Sequence, residues 1–314
     1  MRFRSDPTTI RGSLGAVLTP FRDDGSLDLE GLTALAQWQR DAGSHGLSVG
    51  GSTAEPSALT FEERAAGIRA VAAVTADEIA FVPATGSVKL EETLELTAVA
   101  RDAGADAALV ITPYYVRPTQ AGLLEWYGAV AREFPDLPIA IYNVPSRTAV
   151  DIAPETVAEL RRRHDNIVGI KETTKDFEHF SRVLDLCGRD FMVWSGIELL
   201  GIPLLALGGA GFISALANLA PRSLADLYEH WEAGRIAEAQ EIHYRLHPLV
   251  DLLFVETNPG PAKWALRRLG RLGSDAVRPP LYPLTPRGEE RVRELMTQAE
   301  DVLAYEGLAL GTPA

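Results

Sequence analysis

The sequence predicts an α/β fold, a (β/α)8 TIM barrel with a C-terminal helical extension, and three observations carry that reading. From Leu14 onward, short β-like apolar runs alternate with amphipathic stretches of helical period, the pattern of βα units and a parallel sheet. Eight such units can be counted, the number that closes a barrel, and polar residues able to do chemistry cluster directly after several of the apolar runs.

The strands are expected at residues 15–18, 46–49, 79–82, 107–111, 139–142, 167–170, 191–194 and 211–213, each followed by a helical segment. Asp41-Ala-Gly-Ser and Asp102-Ala-Gly-Ala fall where a helix must stop and feed the next strand, glycine being favoured just past a helix end. Thr60-Phe-Glu-Glu reads as a capping box, and Ala153-Pro-Glu-Thr puts Pro154 in a first helical turn. The run Arg161-Arg-Arg163 ends a helix, where cations meet its dipole favourably. Beyond Pro221 more chain remains than one closing helix needs. Breaks near Asn258-Pro-Gly-Pro and Arg278-Pro-Pro predict several further helices, so a barrel over 10–233 is expected to carry a helical region over 234–314, with a frayed tail from Gly307.

Composition restricts function. Of 314 residues, 46% are hydrophobic and 23% charged, which suits a globular chain with a sizeable core. A net charge of −13 argues against nucleic acid or an acidic membrane as partner, and any anionic substrate must be held by local cations. The N-terminus lacks an apolar signal segment and no apolar run reaches bilayer-spanning length. With Cys187 the single cysteine, no internal disulfide can form, and a cytoplasmic location is the simplest expectation.

In a barrel the active site lies at the C-terminal ends of the strands. Residues 166–172 form a β-branched apolar run that ends in Lys171. A desolvated amine spends more time neutral and can then attack a ketone to form a Schiff base, whereas the ordinary alternative is a lysine paired with the adjacent Glu172. Gly50-Gly51-Ser52-Thr53-Ala54-Glu55 offers hydroxyls and backbone N–H groups to a carboxylate, or is simply a flexible turn. Tyr142 and Tyr115 are acid–base candidates, although a buried tyrosine that caps a barrel layer is common. Arg147 can grip a carboxylate bidentately or stand as an exposed loop residue.

Taken together, Gly15-Ala-Val-Leu-Thr-Pro-Phe, Gly50-Gly-Ser-Thr-Ala-Glu, Gly104-Ala-Asp-Ala, Thr112-Pro-Tyr-Tyr, Tyr142-Asn-Val-Pro-Ser-Arg-Thr, Gly169-Ile-Lys-Glu and Glu256-Thr-Asn-Pro-Gly-Pro-Ala-Lys-Trp-Ala resemble, in order, the dihydrodipicolinate synthase/N-acetylneuraminate lyase family of pyruvate-dependent Schiff-base aldolases, its synthase branch most closely. The resemblance implies a barrel with C-terminal helices, assembled as a homotetramer of two tight dimers and needing no metal or organic cofactor. It makes Lys171 the Schiff-base lysine, Tyr142 the proton shuttle and Ser52 a member of the proton relay, which Tyr115 completes in the neighbouring subunit's site. Thr53, with nearby backbone including Ala54, binds the pyruvate carboxylate; Arg147 holds the carboxylate of the aldehyde, and Ile213 presents a backbone carbonyl. The reaction so implied condenses pyruvate with aspartate semialdehyde, the alternative being a 2-oxo-acid aldolase or dehydratase acting on a sugar acid.

Two departures bear on this. Ser52 stands where the synthase branch usually has threonine, and Ala54 replaces a usual glycine, which is costly if that position needs positive φ. Phe61, Arg64 and Val88 occupy positions where lysine-inhibited members carry polar and histidine side chains, so lysine feedback is not expected. His243 and His247, four apart on a helix, form the only apparent metal-like pair and lack a third ligand; a metal-dependent aldolase built on them, or a non-catalytic binder of 2-oxo acids, is the rival reading. The Gly208-Gly-Ala-Gly211 run precedes its strand and reads as close packing, and Cys187 reads as a small core residue.

Overall fold

The computed structural model describes residues 2–309. Eight parallel strands run β1 (Gly12–Ala16), β2 (Gly46–Ser48), β3 (Ala80–Phe81), β4 (Ala108–Ile111), β5 (Ile139–Asn143), β6 (Ile167–Glu172), β7 (Met192–Ser195) and β8 (Gly211–Ser214). Their order is β3-β2-β1-β8-β7-β6-β5-β4, and the two ends of this sheet meet. A parallel bridge joins Ala84 to Leu109, the Thr85 N–H donates to the Leu109 carbonyl at 3.0 Å, and the Leu109 N–H donates to that of Pro83 at 2.9 Å. The barrel is closed.

Between and after the strands lie α1 (Leu29–Asp41), α2 (Phe61–Thr75), α3 (Leu90–Asp102), α4 (Gln120–Glu133), α5 (Pro154–Arg163), α6 (Phe177–Cys187), α7 (Gly201–Ala206) and α8 (Pro221–Glu232). The expected stops and starts are present. Gly43 and Gly104 take φ of 99° and 90° just past α1 and α3, and Thr60 and Glu63 cap α2 reciprocally, a device worth about 1 kcal/mol. β1 begins three residues earlier than expected, because its pairing with β8 starts at Gly12 against Gly211. A Cβ on Gly211 would lie 2.1 Å from the Gly12 carbonyl oxygen, so the glycine run before β8 serves close packing, as its position implied.

Alternation along the strands sorts their side chains into two layers. Ala140 and Tyr142 of β5 face the barrel interior with Leu14, Leu109, Met192, Trp194 and Ile213. Ile139 and Ile141 face outward against α4, α5 and α6, and Cys187 packs at that layer's margin, its thiol pushed up to about 12 by burial.

Further helices follow at Ile236–Arg245, His247–Leu253, Gly260–Arg268, Pro286–Gln298 and Glu300–Tyr305. Leu249, Leu252, Trp264 and Leu295 share one apolar core with Leu47, Ile68 and Phe81, so this region is welded to the side of the barrel formed by β8 through β3. Leu308 is buried in the same core rather than frayed; residues 310–314 of the expected tail lie outside the described residues. Among the described residues no helix is long and apolar enough to cross a membrane.

Candidate active site

A cavity of about 540 Å³ opens at the C-terminal ends of the strands. Its lining brings together Ser52, Tyr142, Arg147 and Asn258 from three separate stretches of chain.

Lys171 owes its position to sheet register. On β6 it pairs with Tyr142 of β5 and Trp194 of β7, and since side chains at one level of adjacent parallel strands point the same way, all three turn toward the barrel interior. The side chain is only 7% exposed, and its Nζ lies 4.5 Å from the centroid of the Tyr142 ring. Lys171 is not itself part of the cavity lining, which its register partner Tyr142 joins. Gly196 makes room for it, because a Cβ there would lie 2.6 Å from Lys171 Cε.

The ordinary alternative for Lys171, a pair with Glu172, does not occur. Glu172 is fully buried and turned the other way, as alternation requires. Its carboxylate accepts from Asn143 Nδ2 at 3.0 Å and from the backbone N–H groups of Thr173 at 2.8 Å and Thr174 at 2.9 Å. His179 Nε2 lies 3.0 Å from its Oε2, though off the line of a well-directed hydrogen bond. Burial works to strip the His179 proton, and the Glu172 carboxylate, aided by Asp151 and Asp176, outweighs it and raises the imidazole above its ordinary value. Asn143 also donates to Asp151 at 2.7 Å, so the tips of β5 and β6 are cross-linked one residue beyond Tyr142 and Lys171. Among the described residues Lys171 has neither an ion-pair nor a hydrogen-bond partner.

The segment after β2 supplies the hydroxyls. Ser52 Oγ and Tyr142 Oη are hydrogen-bonded at 3.3 Å, a link between the loop and the tyrosine over the lysine. Ser52–Ala54 form one turn of 3₁₀ helix. Ala54 is fully buried without positive φ; the left-handed residue is Glu55, at φ 54°, so the substitution of alanine for glycine brings no backbone strain at its own position.

Long-range contacts from the C-terminal region hold this turn, and sequence reasoning saw none of them. Asn258 Nδ2 donates to Thr53 Oγ1 at 3.0 Å. The fully buried Lys263 amine donates to the Glu55 carboxylate and to the Ala276 carbonyl at 2.9 Å, and rests 4.1 Å from the Phe21 ring centroid. Burial pulls the Lys263 amine down to about 8, against the pull of Glu55. Both residues fall within Glu256–Ala265, a stretch whose local sequence shows a helix break and the helix after it but not these partners.

The remaining candidates are spread. Arg147 is exposed at the cavity rim, with no ion-pair partner among the described residues. Ile213 is buried inside the barrel on β8. Tyr115 stands apart: it is 90% exposed, has φ 72° and does not line the cavity, whereas its neighbour Tyr114 does. His243 and His247 stack edge to face with centroids 5.1 Å apart, and no group of three or more metal-ligating side chains occurs among the described residues.

Comparison with known proteins agrees with the geometry. The dihydrodipicolinate synthetase family matches residues 9–299. A 4-hydroxy-tetrahydrodipicolinate synthase of Thermus thermophilus is 46% identical over 285 residues, 91% of this chain and 95% of that protein. One from Methanothrix thermoacetophila is 43% identical over 93% of this chain and 98% of its own length. Among solved structures, dihydrodipicolinate synthase from Aquifex aeolicus superposes with a TM-score of 0.89 at 39% identity, covering 96% of this chain and 100% of that one. Fold and sequence agree, and the chain belongs to the dihydrodipicolinate synthetase family.

Proposed function

We propose that this protein is a 4-hydroxy-tetrahydrodipicolinate synthase, which joins pyruvate to aspartate semialdehyde through a Schiff base on Lys171. The observation that carries the reading is a buried lysine with no counter-ion, set against a tyrosine that is itself hydrogen-bonded to a serine. The synthase names of relatives up to 46% identical support the substrate pair.

In the proposed reaction the neutral amine attacks the carbonyl carbon of pyruvate, and the carbonyl oxygen leaves as water after proton transfers through Tyr142 and Ser52. The iminium draws electrons from the neighbouring methyl group, which loses a proton to give an enamine. That carbon attacks the aldehyde, whose oxygen takes up a proton, and the amino group of the bound semialdehyde then displaces Lys171 as the ring closes. The imine is its own electron sink, so the chemistry calls for no metal or organic cofactor. Thr53 and the backbone around Ala54 take the pyruvate carboxylate, Arg147 takes that of the aldehyde, and the Ile213 carbonyl faces the reacting atoms. Catalysis is assigned to a barrel of residues 10–233, supported by a helical region of residues 234–314.

Tyr115 fits a shared site. It is almost wholly exposed, takes a left-handed conformation that a bulky residue adopts only when something requires it, and does not line its own cavity. A homotetramer built from two tight dimers, with Tyr115 entering the partner's cavity, supplies that reason.

Borohydride reduction in the presence of pyruvate, followed by peptide mass spectrometry, tests the reading. A pyruvate-derived adduct on Lys171 is expected. An unmodified Lys171 in enzyme that turns over overturns the mechanism, and turnover of sugar acids but not of aspartate semialdehyde overturns the substrate.

A further inference from the structure

We propose that Asn258, delivered from the C-terminal helical region, is a positioning residue that sets the direction of the Thr53 hydroxyl, so that this hydroxyl donates its proton to the substrate. The inference rests on the reading of Thr53 as a ligand of the 2-oxo acid's carboxylate and explains what makes it one.

A hydroxyl has one proton to give and lone pairs to accept with, whereas a carboxylate only accepts. Thr53 binds a carboxylate only with its O–H pointed at it. A threonine alone has no such preference. Here Asn258 Nδ2 donates to Thr53 Oγ1 at 3.0 Å, which occupies a lone pair, and Thr53's own proton reaches no acceptor among the described residues. Thr53 is 7% exposed and Asn258 5%, so water has little access to either. Asn258 Oδ1 is buried without a partner among the described residues, beside a cavity that Asn258 lines. Turning the amide over would take the Thr53 proton and leave only lone pairs for an anion. Five residues further along, Lys263 holds Glu55 in its left-handed turn, so the backbone beyond Thr53 is anchored by the same segment.

The test compares saturation by pyruvate, with aspartate semialdehyde in excess, for the full chain and for Asn258→Asp, Thr53→Val and the double variant. Asn258→Asp keeps the size and removes the donor, so Thr53 must give its proton to the new carboxylate. The expected result is a rise of about 10- to 100-fold in KM for pyruvate in each single variant, the scale of one hydrogen bond to a charged group. In Asn258→Asp the change falls on KM more than on the turnover number, as a residue that acts through substrate binding requires. In the double variant KM is no higher than in Thr53→Val, because Asn258 acts only through that hydroxyl. If Asn258→Asp does not fold, Asn258→Ala is measured in the same scheme and is expected to raise KM in the same direction. A raised KM in Thr53→Val with an unchanged KM in the Asn258 variant overturns the inference alone, as does a double variant whose effects multiply. An unchanged KM in Thr53→Val overturns the carboxylate reading of that residue and this inference with it.

Discussion

Tyr142 and Lys171 are register partners on adjacent parallel strands, and the lysine amine rests 4.5 Å from the centroid of the tyrosine ring. If the pair divides the labour as proposed, Lys171→Ala abolishes the borohydride-trapped adduct. Tyr142→Phe keeps the ring but loses the proton path, so the adduct still forms, more slowly, while kcat falls by about 10²- to 10⁴-fold, the usual contribution of a positioned acid–base group. Pre-steady-state trapping separates the two effects, and equal loss of adduct in both variants would contradict the division.

Arg147 lies at the cavity rim with an uncommitted guanidinium. Arg147→Ala is expected to raise KM for aspartate semialdehyde by about 10- to 100-fold, the loss of one charge-assisted contact, with little effect on KM for pyruvate. Initial rates with each substrate varied in turn decide the matter; a change confined to pyruvate refutes the assignment.

If Tyr115 serves the partner's site, two inactive variants complement each other. Mixing unfolded Lys171→Ala and Tyr115→Phe chains and refolding them together is expected to restore roughly a quarter of the wild-type activity, as random pairing in two-fold dimers gives. No recovery in a refolded mixture that is demonstrably oligomeric would place Tyr115 in its own chain's site.

The buried Glu172 and its neighbour His179 predict a pH-dependent stability. His179 has a folded-state pKa above the ordinary 6.5, so its contribution is fully present below pH 6.5 and is lost as the pH rises through the folded value. His179→Gln is therefore expected to unfold about 1 to 3 kcal/mol more readily than the parent at acid pH, with the gap narrowing in alkaline buffer. Urea melts at both pH values measure it, and a gap that widens with pH runs against the prediction.

Arg64 is buried, donates to Glu92 at 3.1 Å and to the Gly86 carbonyl at 3.0 Å, and lines the cavity beside Val88. A fixed cation that already occupies the nearby carboxylate disfavours a second, so millimolar L-lysine is expected to leave the initial rate unchanged. A micromolar inhibition constant contradicts this.

Much of this architecture was legible because it is local. Strand positions followed from apolar runs of the right length, and helix ends from Thr60, Pro154, Gly43 and Gly104, each of which acts within its own turn. Lys171, Tyr142 and Ser52 were legible because each closes or directly follows a strand, where barrel topology converts sequence position into a place near the active face. What escaped depends on contacts between distant segments. Nothing near Asn258 or Lys263 reveals that they reach Thr53 and Glu55, more than 200 residues earlier. The left-handed residue fell one position beyond Ala54, since the 3₁₀ turn, not the glycine pattern, decides where the chain reverses. Leu308 looked like tail and is core, because its partners come from helices that periodicity could count but not place.

The ion pair between Lys263 and Glu55 ties the last quarter of the chain to the first. A barrel severed at residue 233 would keep its eight strands but strand a carboxylate in an apolar setting with no neutralising charge, beside a threonine deprived of its guide. The helical region is thus a wall of the reaction chamber, and an evolutionary or laboratory exchange of barrels between relatives must carry the matching tail along with it.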